Sequence, residues 1–325
     1  MELNKPEYLP VPDNPLISVC VPAFNCGKFI TETLTCLVDQ TYTNIEIIVV
    51  NDGSTDDTLT KVRAIKDRRL TIIDGINKGA ANARNTAYGF AHGAYVIFFD
   101  ADDYVGPDFI SLQARYIRGT KNDVVMAAWG RFYQEDLKSL KRDHLPGTAM
   151  TFREWVNLYW YNCNPMTNPG RALIPAALIK KAGLWNPELS LNDDLEFFTR
   201  IFLNADKIIF NAEALFHYRS GIGGLSGKKS RAAYQSSFTA LAQATEMALK
   251  HFSHEGLVRQ SCANLWQGLI YELYPDETEI TRLAQEKVDE LGGATLAFPC
   301  GGYTRYLAAL VGWKLTKQLK SKLAR

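Results

Sequence analysis

Short apolar runs alternate with stretches of helical spacing through the first two-thirds of the chain. Residues 16–21, 45–50, 70–74 and 95–99 are rich in β-branched and aromatic side chains with little polar alternation. That is the pattern of strands buried on both faces. Between them, residues 28–38 place Phe29, Ile30, Leu34, Leu37 and Val38 near one helical face, and residues 80–91 form an alanine-rich helix. Pro22 has no N–H to give a ladder and is expected to end the first strand. Ser54-x-x-Asp57 reads as a capping box for the helix that follows it. Strand and helix alternate throughout, which predicts an α/β fold with a mostly parallel, doubly wound sheet.

The pattern continues with a helix to about residue 118 and a strand over 124–129. Residues 134–147 are charged and end in Pro-Gly, and read as an excursion. Thr151-x-x-Glu154 is a second capping box, opening a helix through Trp160. Residues 162–170 read as a loop facing a cleft, 172–182 as a short strand and helix, and 195–203 as a helix. Residues 208–210 and 214–218 read as two short strands. The run Gly221-Ile222-Gly223-Gly224 breaks the pattern. Beyond it, 230–252, 256–273, 277–291 and 303–324 all have helical spacing. The expected organisation is an extended lead-in over 1–15, an α/β domain over 16–224 and a helical region over 225–325.

Apolar residues make up 46% of the 325, enough for a sizeable core and against disorder. The formal charge of +1 implies no nucleic-acid partner. It is unevenly spread, since Arg305, Lys314, Lys317, Lys320, Lys322 and Arg325 follow Cys300 with no acid among them. The six cysteines are scattered without a CxxC pair and read as reduced, mostly buried thiols of a cytoplasmic protein. The N-terminal residues lack the basic start and apolar run of a signal peptide. No apolar stretch approaches the ~18 residues that span a bilayer.

The run Tyr95-Val96-Ile97-Phe98-Phe99 ends in Asp100, Asp102 and Asp103. Unpaired carboxylates cannot extend a buried strand. The strand therefore emerges at the edge of the core and directs its acids into the cleft at the carboxyl ends of the sheet, where ligands of open α/β folds bind. Two acids separated by one small residue can share a hard cation whose remaining shell is phosphate and water.

Five blocks, in order, then resemble an inverting family 2 glycosyltransferase of the GT-A fold. They are SVCVPAFN (18–25), IEIIVVNDGSTDDT (45–58), NKGAANARNTA (77–87), GAYVIFFDADD (93–103) and NDDLEFFTR (192–200). The resemblance covers roughly residues 16–220. It implies that Pro22, Ala23, Phe24 and Asn25 lie along the nucleotide and that Asp52 accepts from the N3–H of uracil. Gly79 lets backbone approach the donor. Arg84 either clamps the donor phosphates or holds the central acids through a salt bridge. Asp100-Ala101-Asp102 looks like the family's DxD motif, with Asp102 on Mn2+ or Mg2+ and Asp100 on the ribose or on the metal through water. Asp194, in the pattern acid-Asp followed by Arg200, is the expected general base. Asp193 and Arg219 are expected near donor or acceptor. Asn85 reads as structural, and Asp103 as a third acid that either orients the metal site or caps a turn. The family's histidine after Tyr-Arg is missing here. Arg219, Ser226 and the neighbouring glycines are left as a phosphate-covering flap.

The implied partners are a nucleotide-sugar donor, a UDP-sugar first, and a saccharide or lipid-linked saccharide acceptor, in assembly of cell-surface polysaccharide or glycolipid. Residues 303–324 can form a helix with the row Tyr303, Leu307, Val311, Leu315, Leu319, Leu323. It either lies in a membrane surface, which makes the protein peripheral on the inner face of the cell membrane, or packs on the body with a solvated lysine face. Two rival functions are a catalytically silent scaffold of the same fold and a sugar-nucleotide pyrophosphorylase. The intact acids argue against the first, and the glycine-poor first loop against the second.

Overall fold

The computed structural model describes residues 14–117, 122–133, 136–165, 167–222 and 230–323. Most of the expected lead-in, the 225 boundary and Ser226 lie outside these residues. Among them, 14–152 with 167–222 form one compact unit, and 153–165 with 230–323 form a second.

The first unit is built on strands β1 (Ile17–Ala23), β2 (Ile45–Asn51), β3 (Leu70–Asp74) and β4 (Tyr95–Phe98), with helices α1 (Ile30–Val38), α2 (Thr58–Ala64) and α3 (Ala80–Gly89) between them. These four strands are mutually parallel in the order β3-β2-β1-β4. Ile17, Val19, Cys20, Val21, Ile47 and Val49 are buried, as expected of a parallel sheet covered on both faces. After β5 (Tyr104–Val105) and α4 (Phe109–Ala114) come β6 (Val124–Tyr133), β7 (Asp136–Arg142) and β8 (Ala149–Met150). α5 (Phe152–Trp155) opens the 153–165 segment of the second unit, and the first unit resumes with β9 (Ala172–Pro175), α6 (Ala176–Ala182), α7 (Asp193–Asn204) and β10 (Ile208–Ser220). β9 runs antiparallel to β4 and β6 and splices them, and β10 pairs parallel with β6. The sheet is thus parallel at its centre and mixed beyond β4.

Four expectations are corrected. β1 does not stop at Pro22 but runs to Ala23, with Pro22 opposite Val50. β4 pairs with β1 only as far as Cys20, so Pro22 has a strand neighbour on one side alone and its missing N–H is tolerated. Ser54 does not cap α2, because its hydroxyl accepts from the Asn25 N–H at 3.0 Å. The charged excursion contains β7, a strand that among the described residues pairs only with β6 and carries exposed Lys141 and Arg142, charges suited to an edge. The two short strands at 208–218 are one strand with a bulge between Asn211 and Leu215. Asn211 Oδ1 accepts there from Glu213 N (2.9 Å) and Ala214 N (3.3 Å), replacing the ladder bonds lost at the bulge.

The second unit packs α8 (Arg231–Phe252), α9 (Gly256–Leu273) and α10 (Thr278–Glu290), followed by α11 (Tyr303–Leu323). Ser230 caps α8, accepting from Ala233 N. Ala240, Ala244, Val258, Cys262, Trp266, Ala284 and Val288 form its core. The six cysteines are free, with Cys20, Cys36 and Cys262 buried and Cys26, Cys163 and Cys300 partly exposed. No helix among the described residues is long and apolar enough to cross a membrane.

Candidate active site

The loops that leave β1, β2 and β4 meet at the carboxyl ends of these strands. The loop after β1 is braced to the loop after β2. Beside the Asn25–Ser54 bond, Thr55 N donates to Asn25 Oδ1 (2.8 Å), Cys26 N to Thr58 Oγ1 (2.9 Å) and Gly27 N to Asp56 Oδ2 (3.0 Å). Asn25 takes a left-handed φ of 47° to do this, a conformation asparagine tolerates. The bracing leaves Phe24 out in solvent, 42% exposed. Asp52, at the end of β2, is buried and accepts from Lys78 N (2.8 Å) and Gly79 N (2.9 Å), one bond on each oxygen. A carboxylate has about four acceptor positions, so both oxygens keep capacity. Gly79 has φ 90° at the start of α3, and a Cβ there would meet nothing within 4 Å.

Tyr95–Phe98 ends the buried strand and Asp100 to Asp103 turn away from it, as their charge demands. Two residues hold this turn from below. Thr33 of α1 donates its hydroxyl to Ala101 O (3.1 Å) and Asp103 O (2.9 Å). Arg219 of β10 donates from its backbone N to Asp103 Oδ1 (2.8 Å) and from Nε to Asp102 O (2.6 Å). Its guanidinium also pairs with Glu32 and lies between the rings of Phe29 (4.7 Å) and Phe132 (4.6 Å). The Arg219 side chain has no exposed surface. The neighbouring His217 packs edge-on to Tyr104, and burial holds its imidazole below the usual histidine range.

Above the turn, one guanidinium joins two acidic segments. Arg84 Nη2 contacts Asp100 Oδ1 (2.9 Å) and Nη1 contacts Asp193 Oδ2 (2.8 Å). Its guanidinium lies 4.4 Å over the ring of Trp185. Burial opposes the Arg84 charge, but Asp100 and Asp193 outweigh it and keep the group protonated. Asn85 exchanges hydrogen bonds with the backbone of Trp185 (2.8 and 2.9 Å), and Trp185 stacks on Phe197 of α7 at 4.0 Å. Arg200 pairs with Glu196 and donates to the carbonyls of Ala182, Gly183 and Leu184, fixing the loop that carries Trp185.

Asp193 opens α7, its Oδ1 accepting from Asp194 N at 3.1 Å. Asp194 Oδ2 accepts from Thr167 Oγ1 at 2.9 Å. Burial raises the pKa of Asp194 above the usual carboxylate range, opposed by the Thr167 hydroxyl and the Leu195 N–H. Burial also lifts Asp193, to about 6, against the pull of Arg84. Asp102 is pushed up to about 7 by burial and then by the Asp100 carboxylate. Asp103 is raised well above the usual range by burial, then by Asp102 and Asp100, and its Oδ2 is buried with no partner.

Thus Asp100, Asp102, Asp193 and Asp194, from distant parts of the chain, share one acidic cluster around Arg84. Half-buried carboxylates crowded this way favour a cation, and an all-oxygen set suits Mg2+ or Mn2+. Among the described residues no three His, Cys, Asp or Glu side chains form a ready-made cage. Sequence reasoning missed Thr33, Glu32, Thr167 and Trp185. They carry no motif, and only the packing of α1, of the segment before β9 and of the α6–α7 loop brings them in.

The family model for glycosyl transferase family 2 matches residues 18–175. The chain is 32% identical over 224 residues to the glycosyltransferase GlyG of Streptococcus pneumoniae serotype 4, covering 65% of this chain and 72% of GlyG. It is 40% identical over 121 residues to the UDP-Glc:alpha-D-GlcNAc-diphosphoundecaprenol beta-1,3-glucosyltransferase WfaP of Escherichia coli, covering 37% of this chain and 47% of WfaP. Among solved structures, S. aureus TarS (residues 1–349) in complex with UDP-GlcNAc superposes with a TM-score of 0.68 at 22% identity, over 85% of this chain and 81% of that one. The fold is that of TarS, and the chain belongs to the family 2 glycosyltransferases.

Proposed function

We propose that this chain moves a sugar from a nucleotide-sugar, a UDP-sugar first, to an acceptor hydroxyl with inversion at the anomeric carbon. The observation that carries the reading is the Arg84 guanidinium shared between Asp100 and Asp193, with Asp194 the next residue. It supports a donor-holding pair and a proton acceptor working on one reaction centre. A uridine donor is supported by the free acceptor capacity of Asp52 beside exposed Phe24, and by the UDP-GlcNAc bound to TarS and the UDP-Glc named for WfaP.

In this reading Pro22, Ala23, Phe24 and Asn25 receive the base and ribose, and open Gly79 lets backbone come close to the donor. Asp102, with Asp100, would hold a divalent cation, which when bound supplies charge neutralisation to the departing diphosphate. Arg84 keeps Asp100 and Asp193 in place. Asp194, oriented by the Thr167 hydroxyl, takes the proton from the acceptor hydroxyl as its oxygen attacks from the face opposite the leaving group. A pKa raised above the usual carboxylate range makes it a stronger proton acceptor. The acceptor is a saccharide or a lipid-linked saccharide of cell-surface polysaccharide or glycolipid assembly, and a lipid-linked acceptor draws the protein to a membrane surface as a peripheral enzyme.

The test is a panel of UDP-, GDP- and dTDP-sugars, measured for binding and turnover with Mn2+. A UDP-sugar is expected to bind. Asp102→Ala is expected to abolish metal-dependent binding, and Asp194→Asn to keep binding while turnover falls by roughly 10²–10⁴-fold. Wild-type turnover by Asp194→Asn would overturn the base assignment.

A further inference from the structure

α11 is two segments rather than one helix. Gly312 takes φ 79° and ψ 160° inside it, a conformation that glycine supports without strain. The segment after Gly312 is docked. Trp313 packs among Tyr271 (4.9 Å), Tyr274 (5.3 Å) and Phe298 (5.9 Å). Thr316 is buried, and Lys317 Nζ donates to the carbonyls of Tyr271 and of Glu272 (2.8 Å) at the end of α9. A cation at a helix C-terminus is well placed, so Lys317 is spent on structure.

The segment before Gly312 is not docked in this way. Tyr303 is 93% exposed, Tyr306 73% and Leu310 83%. Their spacing of three and four residues puts them on one stripe. Arg305 is the only charge in residues 303–311. Past the break, exposed Leu315 and Leu319 lie on the side of the helix away from Trp313, beside exposed Lys314 and Lys320. Aromatic rings followed by leucines and lysines are the composition of a segment lying at a lipid–water boundary.

We propose that residues 303–320 are an interfacial anchor for a bilayer bearing anionic lipids, with 303–311 as the inserted part and Trp313, Thr316 and Lys317 as the mount that fixes it to the second unit. Charge selects this occupant. No acid follows Glu290, while six cations do. A second copy of the chain would bring Arg305, Lys314 and Lys320 against their own counterparts, whereas an anionic leaflet offers the opposite sign, worth about fivefold in binding per surface cation. The segment lies on the surface rather than spanning it. The inference deepens the peripheral-membrane part of the functional reading and rests on it only for its biological purpose, since the geometry belongs to the tail alone.

The experiment is flotation of the full chain with phosphatidylcholine vesicles, with and without one-quarter phosphatidylglycerol. Binding is expected to the mixed vesicles, at least ~10-fold tighter than to phosphatidylcholine alone and weakened by salt. The double substitution Tyr306→Glu, Leu310→Glu is expected to lower it by ~30-fold or more. Both side chains are exposed, so its melting temperature and its turnover of a water-soluble acceptor are expected to match wild type. Equal binding by wild type and variant overturns the proposal. So does light scattering in which lipid-free wild type is an oligomer and the variant a monomer, because the face is then a protein interface. Vesicle binding without sugar transfer would sink the functional reading and leave the anchor, and transfer without vesicle binding the reverse.

Discussion

Arg84 Nη1 donates to Asp193 Oδ2 at 2.8 Å, tying α3 to the first residue of α7 across 109 positions of sequence. The same side chain reaches Asp100, so one planar cation keeps two acidic segments from repelling each other. Lysine carries the charge but not the fork. Arg84→Lys is expected to cost about 1–3 kcal/mol of stability, because one half-buried carboxylate loses its partner, and to lower turnover by at least ~10-fold. Denaturant titration and steady-state kinetics check this, and a variant matching wild type in both would remove Arg84 from the design of the site.

The bond from Thr167 to Asp194 makes a second prediction, about pH. A base works deprotonated, and the Thr167 hydroxyl favours that form. Thr167→Val removes this help while burial, the larger influence, remains. The acidic limb of the pH–rate profile is therefore expected to move to higher pH, with the alkaline plateau close to wild type. A limb that stayed in place would mean that the group titrating there is not Asp194.

A third prediction concerns stability without added metal. Asp193 and Asp102 have folded values of about 6 and about 7, above the ~3.9 of an unfolded aspartate. The folded state thus holds protons more tightly than the unfolded chain. Their contribution is full below about pH 4 and is lost as pH rises through 6 and 7. Melting temperatures in EDTA are expected to carry this decline, and Mn2+ is expected to raise them more at pH 7.5 than at pH 5, where protons compete for Asp102. Asp102→Asn should abolish the Mn2+ effect.

Arg219 and Glu32 form a pair whose two ends differ in worth. Arg219→Met keeps the backbone N–H on Asp103 but leaves the Asp102 carbonyl without its Nε donor and takes a buried cation from beside Asp102 and Asp103, and is expected to cost about 3 kcal/mol. Glu32 is 46% exposed, so Glu32→Gln is expected to cost under about 1 kcal/mol. Equal losses in denaturant titrations would refute the contrast.

Much of this was legible in the residues. Strands at 45–51, 70–74 and 95–98 follow from unbroken β-branched and aromatic runs, and the acids after Phe99 had to leave the core. The residues around Arg84 allow either a phosphate clamp or a salt bridge, and in the structure its guanidinium joins Asp100 to Asp193. Less legible were features that depend on who stands opposite. Pro22 looked like a strand end because a missing N–H matters only on a side that has a partner. Arg219 looked like a flap residue because burial between Phe29 and Phe132 is a property of three elements together. The break at Gly312 is invisible in the residues because apolar spacing runs unbroken through it.

The four backbone-to-side-chain bonds between residues 25–27 and residues 54–58 make the two loops one piece of architecture. Exchanging 54–58 alone would take away the two hydroxyls and the carboxylate that the N–H groups of 25–27 donate to, and exchanging 24–27 alone would take away the Asn25 Oδ1 that Thr55 N donates to. The smallest portable cassette is the pair, cut at the ends of β1 and β2 and carried over together.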